Sequence, residues 1–232
     1  MRITIKEDVF SQINPKLKVG FMLLSDINNK SSLRETKHLL KEVEKLIKLT
    51  FNKDSIKSHD FISPWEVMRE GYGKKAKHYK TSVETLFKTV LKKKSTVSNN
   101  SATNIVNHLT LKYIVPITLD DADKISGKLT LALSKGDEKL TPLRKAKKGT
   151  LICFDSSKKQ KMLSSEFGYF KTQKSKINTK TKNILVRIIA MPPVSSQKFQ
   201  EVLNEAKEMF RTFTKAKVKT LILSKQKKSG DL

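Results

Sequence analysis

Apolar residues fall in blocks along this chain, and the spacing inside each block predicts an element. Val19 to Leu24, within Lys18–Ile27, is an unbroken apolar run and reads as a buried strand. Leu109–Val115, ended by Pro116, reads the same way. So do Lys128–Leu133, Thr150–Phe154, Val218–Leu223 and Ile184–Ala190, the last stopped by Pro192-Pro193. Elsewhere the period lengthens to that of a helix. Leu39, Leu40, Val43, Leu46 and Ile47 share one face, and Val83, Leu86, Phe87, Val90 and Leu91 another. The longest such stripe is Phe199, Val202, Leu203, Ala206, Met209, Phe210 and Phe213.

Polar punctuation supplies the helix starts. Ser32-x-x-Glu35, Ser63-Pro64-Trp65-Glu66 and Thr81-x-x-Glu84 read as capping boxes, in which hydroxyl and carboxylate satisfy free amides of a first turn. Pro64 suits the first helical position. Glu44 stands four residues before Lys48, the spacing of a helical ion pair. Lys92 to Ser101 reads as a solvated connection, and the residues from Lys225 onward as a loose basic tail. Strands and helices alternate irregularly, without an internal repeat or a Gly-rich phosphate loop. The expected fold is therefore mixed α/β (α+β) over residues 1–224, as one domain or two small lobes sharing a core.

Charge adds a partner to this picture. The 232 residues carry 48 Lys plus Arg against 22 Asp plus Glu, a formal charge of +26 that must lie on the surface. Such a field concentrates polyanions, a nucleic acid ahead of an acidic membrane. Arg occurs only at Arg2, Arg34, Arg69, Arg144, Arg187 and Arg211. Lysine is a point charge suited to phosphates, whereas base readout favours the forked guanidinium, so contact with the backbone is expected. The densest basic segment outside the expected core is Lys171 to Lys182, with Lys171, Lys174, Lys176, Lys180 and Lys182 as candidate RNA contacts.

The usual catalytic signatures are missing. His38, His59, His78 and His108 show no metal-ligand spacing, and His38, beside apolar residues, reads as structural. Cys153 is the sole cysteine and sits inside an apolar run, which suits a buried strand residue. No metal and no cofactor is implied. Met1 to Phe10 has no apolar signal core, and no apolar stretch reaches the roughly 18 to 20 residues of a membrane span, so a cytoplasmic protein without a membrane partner is expected.

The middle of the chain is more specific. Ser82-Val-Glu84-Thr-Leu86 is followed by Asn104-Ile-Val-Asn107, then by Pro116-Ile-Thr-Leu-Asp-Asp121-Ala-Asp123-Lys-Ile125-Ser-Gly127, and, after a strand, by Gly136-Asp-Glu138. In this order the stretch from Tyr79 to Leu140 resembles the editing domain of the phenylalanyl-tRNA synthetase β subunit, its tandem third and fourth B domains, which also occur as free-standing proteins. The clear likeness covers about a quarter of the chain, and a weaker one runs through Asp155, Phe167-Gly168 and Thr181-Lys-Asn183.

That resemblance implies two intimately packed lobes and a trans-editing deacylase that hydrolyses the ester of a mischarged tRNA. A non-catalytic tRNA- or RNA-binding protein on the same fold is the alternative, and a binder of a small molecule in the old pocket is a further one. It implies Asn107, Thr118 and Glu138 as catalytic, with Asn104, Phe167, Gly168 and Tyr169 contacting substrate. Asp121 and Asp123 read as architectural, capping the turn at Lys124. The departures lie close to this site: Thr118 stands at a family histidine position, Asn104 at an aspartate, and Ala132 at a strand arginine.

Overall fold

Two strands named by their apolar runs, β2 (Lys18–Ser25) and β10 (Ile184–Ala190), pair antiparallel at the centre of a four-stranded sheet. β11 (Lys217–Leu223) flanks β2 and β3 (Ile117–Asp121) flanks β10, giving the order β11-β2-β10-β3. The computed structural model describes all residues except 53–54, 57, 71–79, 126, 142–143, 157–160, 166–169 and 172–174.

Alternation along the strands divides two cores. Met22, Leu24, Ile117, Leu119, Ile184, Val186 and Ile188 point to one face, where helices α5 (Ser101–Tyr113) and α6 (Ser196–Thr214) cover them. Gly20 lies on that face, and a Cβ there would stand 2.6 Å from Leu203 Cδ2, so α6 crosses as closely as only glycine permits. Val19, Phe21, Leu185, Ile189, Leu221 and Leu223 point to the opposite face. They meet a second sheet, ordered β12-β1-β4-β7-β8-β9, whose first four strands are β12 (Ser229–Asp231), β1 (Arg2–Ile5), β4 (Leu129–Leu133) and β7 (Leu151–Asp155). Its other edge is β8 (Lys161–Ser165) and β9 (Phe170–Lys171). Outside α5, a third core joins α2 (Leu33–Thr50) and α4 (Ser82–Leu91). The short helices α1 (Glu7–Gln12) and α3 (Ser63–Glu70) and a hairpin of β5 (Lys139–Thr141) with β6 (Arg144–Lys145) complete the described elements. Mixed α/β architecture, with the two sheets packed face to face, is therefore the fold.

Several expectations fail for identifiable reasons. Leu109–Val115 is not a strand but the last turns of α5 and its exit; the helix starts from the Asn100 cap, whose side chain accepts from Thr103 N, and is buried on several faces at once, so no helical period shows. The Ser32 box does not form. Ser32 adopts a left-handed conformation (φ 48°), and its carbonyl, not its hydroxyl, is engaged, accepting from Thr36. Ser63 Oγ likewise donates back to the Asp60 carbonyl, and Glu66 turns to Arg69. Only the Thr81–Glu84 box closes on both sides, and Glu84 also binds Arg69 at 2.6 Å, tying α3 to α4. Glu44 is buried and accepts from Thr96 N (2.6 Å) and Thr96 Oγ1 (2.7 Å) instead of pairing with Lys48. The expected loose tail closes the second sheet: β12 pairs with β1, Arg2 meets Asp231 at 2.7 Å, and Gly230 lets the strand approach Leu221.

Candidate functional site

The inner face of the central sheet changes character at its β3–β10 end. Arg187 interrupts the apolar strand β10, and its register partner on β3 is Thr118. The neighbours of Arg187 at even spacing along β10, Leu185 and Ile189, look toward the second sheet, so Arg187 does as well, and Thr118 opposite it in register. It is 1 % exposed, and its Nη2 donates to Ser164 Oγ on β8 at 2.5 Å across the gap between sheets. Asp120, two residues along β3 from Thr118 and 1 % exposed, accepts from Ser175 Oγ at 2.7 Å. Asp155 ends the inward row Leu151, Cys153, Asp155 of β7 and is fully buried. Cys153, buried as expected, pairs with Ser164 in register. Arg187 and Ser164, Asp120 and Ser175, and Asp155 are thus all buried polar residues of these strands and the segment beside them. Thr118 Oγ1 is enclosed there without a hydrogen-bond partner among the described residues.

The long family-like motif forms the rim. Asp121 Oδ1 accepts from Asp123 N and caps the 3-10 turn Ala122–Lys124, the architectural role expected of the two aspartates. The following basic segment is pinned against them: Thr181 Oγ1 donates to Asp121 Oδ2 (3.4 Å) and Asn183 Nδ2 to Asp123 Oδ1 (2.9 Å). Lys176, Lys180 and Lys182 project to solvent from this pinned segment. Lys171 lies on β9 in register with Ser164, and Lys174 lies outside the described residues.

The other predicted site residues lie elsewhere. Asn107 and Asn104 occupy the face of α5 that looks away from the sheet. Asn107 Nδ2 donates to the Thr96 carbonyl (2.9 Å), while Asn104 Oδ1 accepts from Ser98 N (2.7 Å) and its amide reaches Thr36. Both amides therefore hold the connection before α5. Glu138 sits in the turn after β4, accepting from Ser134 Oγ (2.5 Å), Lys135 N (2.9 Å) and Gly136 N (3.2 Å). Partial burial would raise its carboxyl pKa, but these hydrogen bonds outweigh it and hold the group below the usual range. It lines a separate pocket of about 650 Å³ with Lys6, Glu7, Asp8, Lys135 and Phe154. Asn107, Thr118 and Glu138 thus fall in three different layers. Phe167, Gly168 and Tyr169 lie outside the described residues.

His38 is exposed, not structural. His108 is half-buried: desolvation lowers its pKa, although its ring contacts the Leu39 carbonyl (3.1 Å) and lies 4.0 Å from Glu205. Among the described residues no cluster of His, Cys, Asp or Glu could hold a metal, and no helix is long and apolar enough to cross a membrane. Sequence reading passed over Arg187, Asp120 and Ser164. One signal was present: Arg187 is the single charge in the strand Ile184–Ala190, in a chain that uses arginine sparingly.

A family model described as the B3/4 domain matches residues 67–222, the stretch that contains β3, β8 and β10. Among solved structures, the chain is similar to an N-terminal fragment of the phenylalanyl-tRNA synthetase beta subunit from Pyrococcus horikoshii, at 12 % identity and a TM-score of 0.44. That match covers 93 % of this chain and 49 % of the other, so the chain spans about half the length of that fragment. No curated protein matches it.

Proposed function

This chain belongs to the B3/4 domain family, related to the beta subunit of phenylalanyl-tRNA synthetase, and on that premise we propose that it is a trans-editing hydrolase. It binds mischarged aminoacyl-tRNA and cleaves the ester between the amino acid and the terminal ribose. The observation that carries this reading is the buried polar group around Thr118 and Arg187, set between two sheets inside the matched stretch and bordered by exposed lysines.

The chemistry asked of such a site is modest. The ester is already activated, so a held water and a stabilised oxyanion are sufficient, and no covalent nucleophile is required. Water adds to the carbonyl carbon, and the ribose oxygen leaves with a proton. Arg187 supplies a permanent positive charge for the developing oxyanion, in surroundings where that charge is screened less than in water. Thr118 Oγ1 can donate or accept a hydrogen bond but is no base near neutral pH; the carboxylates of Asp120 and Asp155 are the groups able to orient water. Asn104 and Asn107 serve the fold in this reading, and Glu138 belongs to its own pocket.

A panel of mischarged tRNAs incubated with the protein tests the proposal. Hydrolysis of at least one ester well above its buffer rate is expected. Decay of every ester at the buffer rate while tRNA still binds would sink the hydrolase and leave the second reading, a non-catalytic tRNA-binding protein on the same fold. One observation favours that second reading: the Asn107 amide and the Glu138 carboxylate are each engaged locally and not presented together.

A further inference from the structure

The two long helices of the protein carry their charges differently. On α6, every acidic residue has a cationic partner: Glu201 with Lys198 (3.1 Å), Glu205 with Lys112 (2.7 Å) and Glu208 with Arg211 (3.2 Å). On α2, Arg34, His38, Lys41, Lys45 and Lys48 recur at steps of four and three, which places them on one stripe. All five are exposed, because Leu40, Val43 and Ile47 turn the opposite face into the core. Among the described residues none of the five forms an ion pair, and Lys37 beside them reaches only Asn99 Oδ1 (3.4 Å). Fourteen residues separate the ends of the stripe, a length of about 21 Å at the helical rise. A groove of about 850 Å³ runs beside its first half, lined by Leu33, Arg34, Glu35, Lys37, His38 and Lys41.

This stripe is joined to the candidate site. The Ile27 amide donates to the Lys182 carbonyl (2.9 Å) and Asn29 Nδ2 to the Asn178 carbonyl (2.8 Å), so the approach to α2 is bound to the lysine-bearing rim. Cations therefore continue from Lys176, Lys180 and Lys182 onto α2. We infer that the solvent face of α2 is the track on which this protein holds the sugar-phosphate backbone of the RNA whose end enters the site. The inference rests on the tRNA-binding half of the proposed function and not on hydrolysis. It adds an element outside the stretch that matches the family model, because α2 lies before residue 67, where that stretch begins. An anionic membrane is the less suitable occupant. The apolar face of α2 is buried, leaving only Leu46 and Leu49 outside, whereas a helix lying on a membrane turns that face to the lipid.

The test compares two fourfold variants that remove equal charge, each checked for folding by circular dichroism and thermal melting. One carries Arg34→Gln, Lys41→Gln, Lys45→Gln and Lys48→Gln; the other carries Lys198→Gln, Arg211→Gln, Lys217→Gln and Lys228→Gln, at cations that already have acidic partners. The probe is an uncharged tRNA transcript, titrated between about 50 and 200 mM salt. The α2 variant should lose affinity by about a hundredfold and flatten the slope of log affinity against log salt by about three, while the control stays within about threefold of wild type. If this pattern holds in a protein that hydrolyses no ester, the track stands and the hydrolase reading falls. Equal losses in both variants, or wild-type affinity in the α2 variant, would overturn the inference. So would a loss confined to binding of phosphatidylserine vesicles.

Discussion

The two faces of the central sheet are made by the same four strands and do different work. Toward the helices, β2, β3 and β10 present an apolar row of Met22, Leu24, Ile117, Leu119, Ile184, Val186 and Ile188, with Lys18 and Asp121 at the strand ends. Toward the second sheet, the row begins equally apolar with Val19, Phe21, Leu185 and Ile189. It then gives way to Arg187, Thr118 and Asp120. An apolar face needs only matching volume, whereas buried polar groups carry a desolvation cost that their partners must offset. The apolar rows, on the helix side and on the rest of the inner side, are thus the parts that make the protein stable. The polar end of the inner side contributes little to that end, and it is where a carbonyl oxygen and a water could be held.

Substitutions on each face can break or sharpen this division. The largest effect is expected from Phe210→Ala, which removes a fully buried ring from the helix-side core. It should cost about 3–5 kcal/mol, seen as a fall in melting temperature of roughly 10 °C, with hydrolysis per folded molecule unchanged. Arg187→Met comes next. It should slow deacylation about a hundredfold or more through loss of the oxyanion partner, measured as kcat at saturating tRNA. Thr118→Val should act in opposite directions on the two properties: replacing a buried hydroxyl that has no partner among the described residues raises stability by about 1 kcal/mol in a denaturant melt, while deacylation slows about tenfold. Glu138→Gln is the smallest. The Glu138 pKa is depressed in the folded state, so its contribution is complete above the unfolded value near 4.3 and is lost as pH falls through the folded one. The variant should flatten stability between about pH 5 and 3, by less than about 1 kcal/mol because much of the carboxylate remains in water.

The same contrast explains what was legible in the sequence. β2 and β10 could be read because each is an apolar run of strand length, buried on both faces of the sheet, and α6 because it turns one apolar stripe inward at the helical period. α5 could not. Ala102, Ile105, Val106 and Leu109 meet the sheet side while Leu111 and Ile114 meet α2 and α4, so burial on two sides erases the helical period. The Ser32 box matches its pattern but fails in three dimensions, because a left-handed Ser32 cannot offer its hydroxyl to the first turn. At the candidate site, Thr118 was named through family likeness, and the Pro116–Gly127 motif runs along β3 and the turn that follows it. Arg187, Ser164 and Asp120 lie far apart in sequence and become a group only through the β3–β10 register and the packing of β8 across the gap. The asparagines show the converse. Motif position suggested substrate contact, while the geometry gives both amides a task inside the fold.

The central claim, that ester hydrolysis occurs where β3 and β10 face the second sheet, is tested most directly by single-turnover deacylation. One mischarged tRNA would be given to wild type, Thr118→Val and Arg187→Lys, with tRNA affinity measured on the same preparations. The account predicts that both variants bind tRNA as wild type does. Arg187→Lys then slows cleavage by at least about tenfold, because an ammonium lacks the fork of the guanidinium, and Thr118→Val slows it by a similar factor. Cleavage at the wild-type rate by both variants would contradict it.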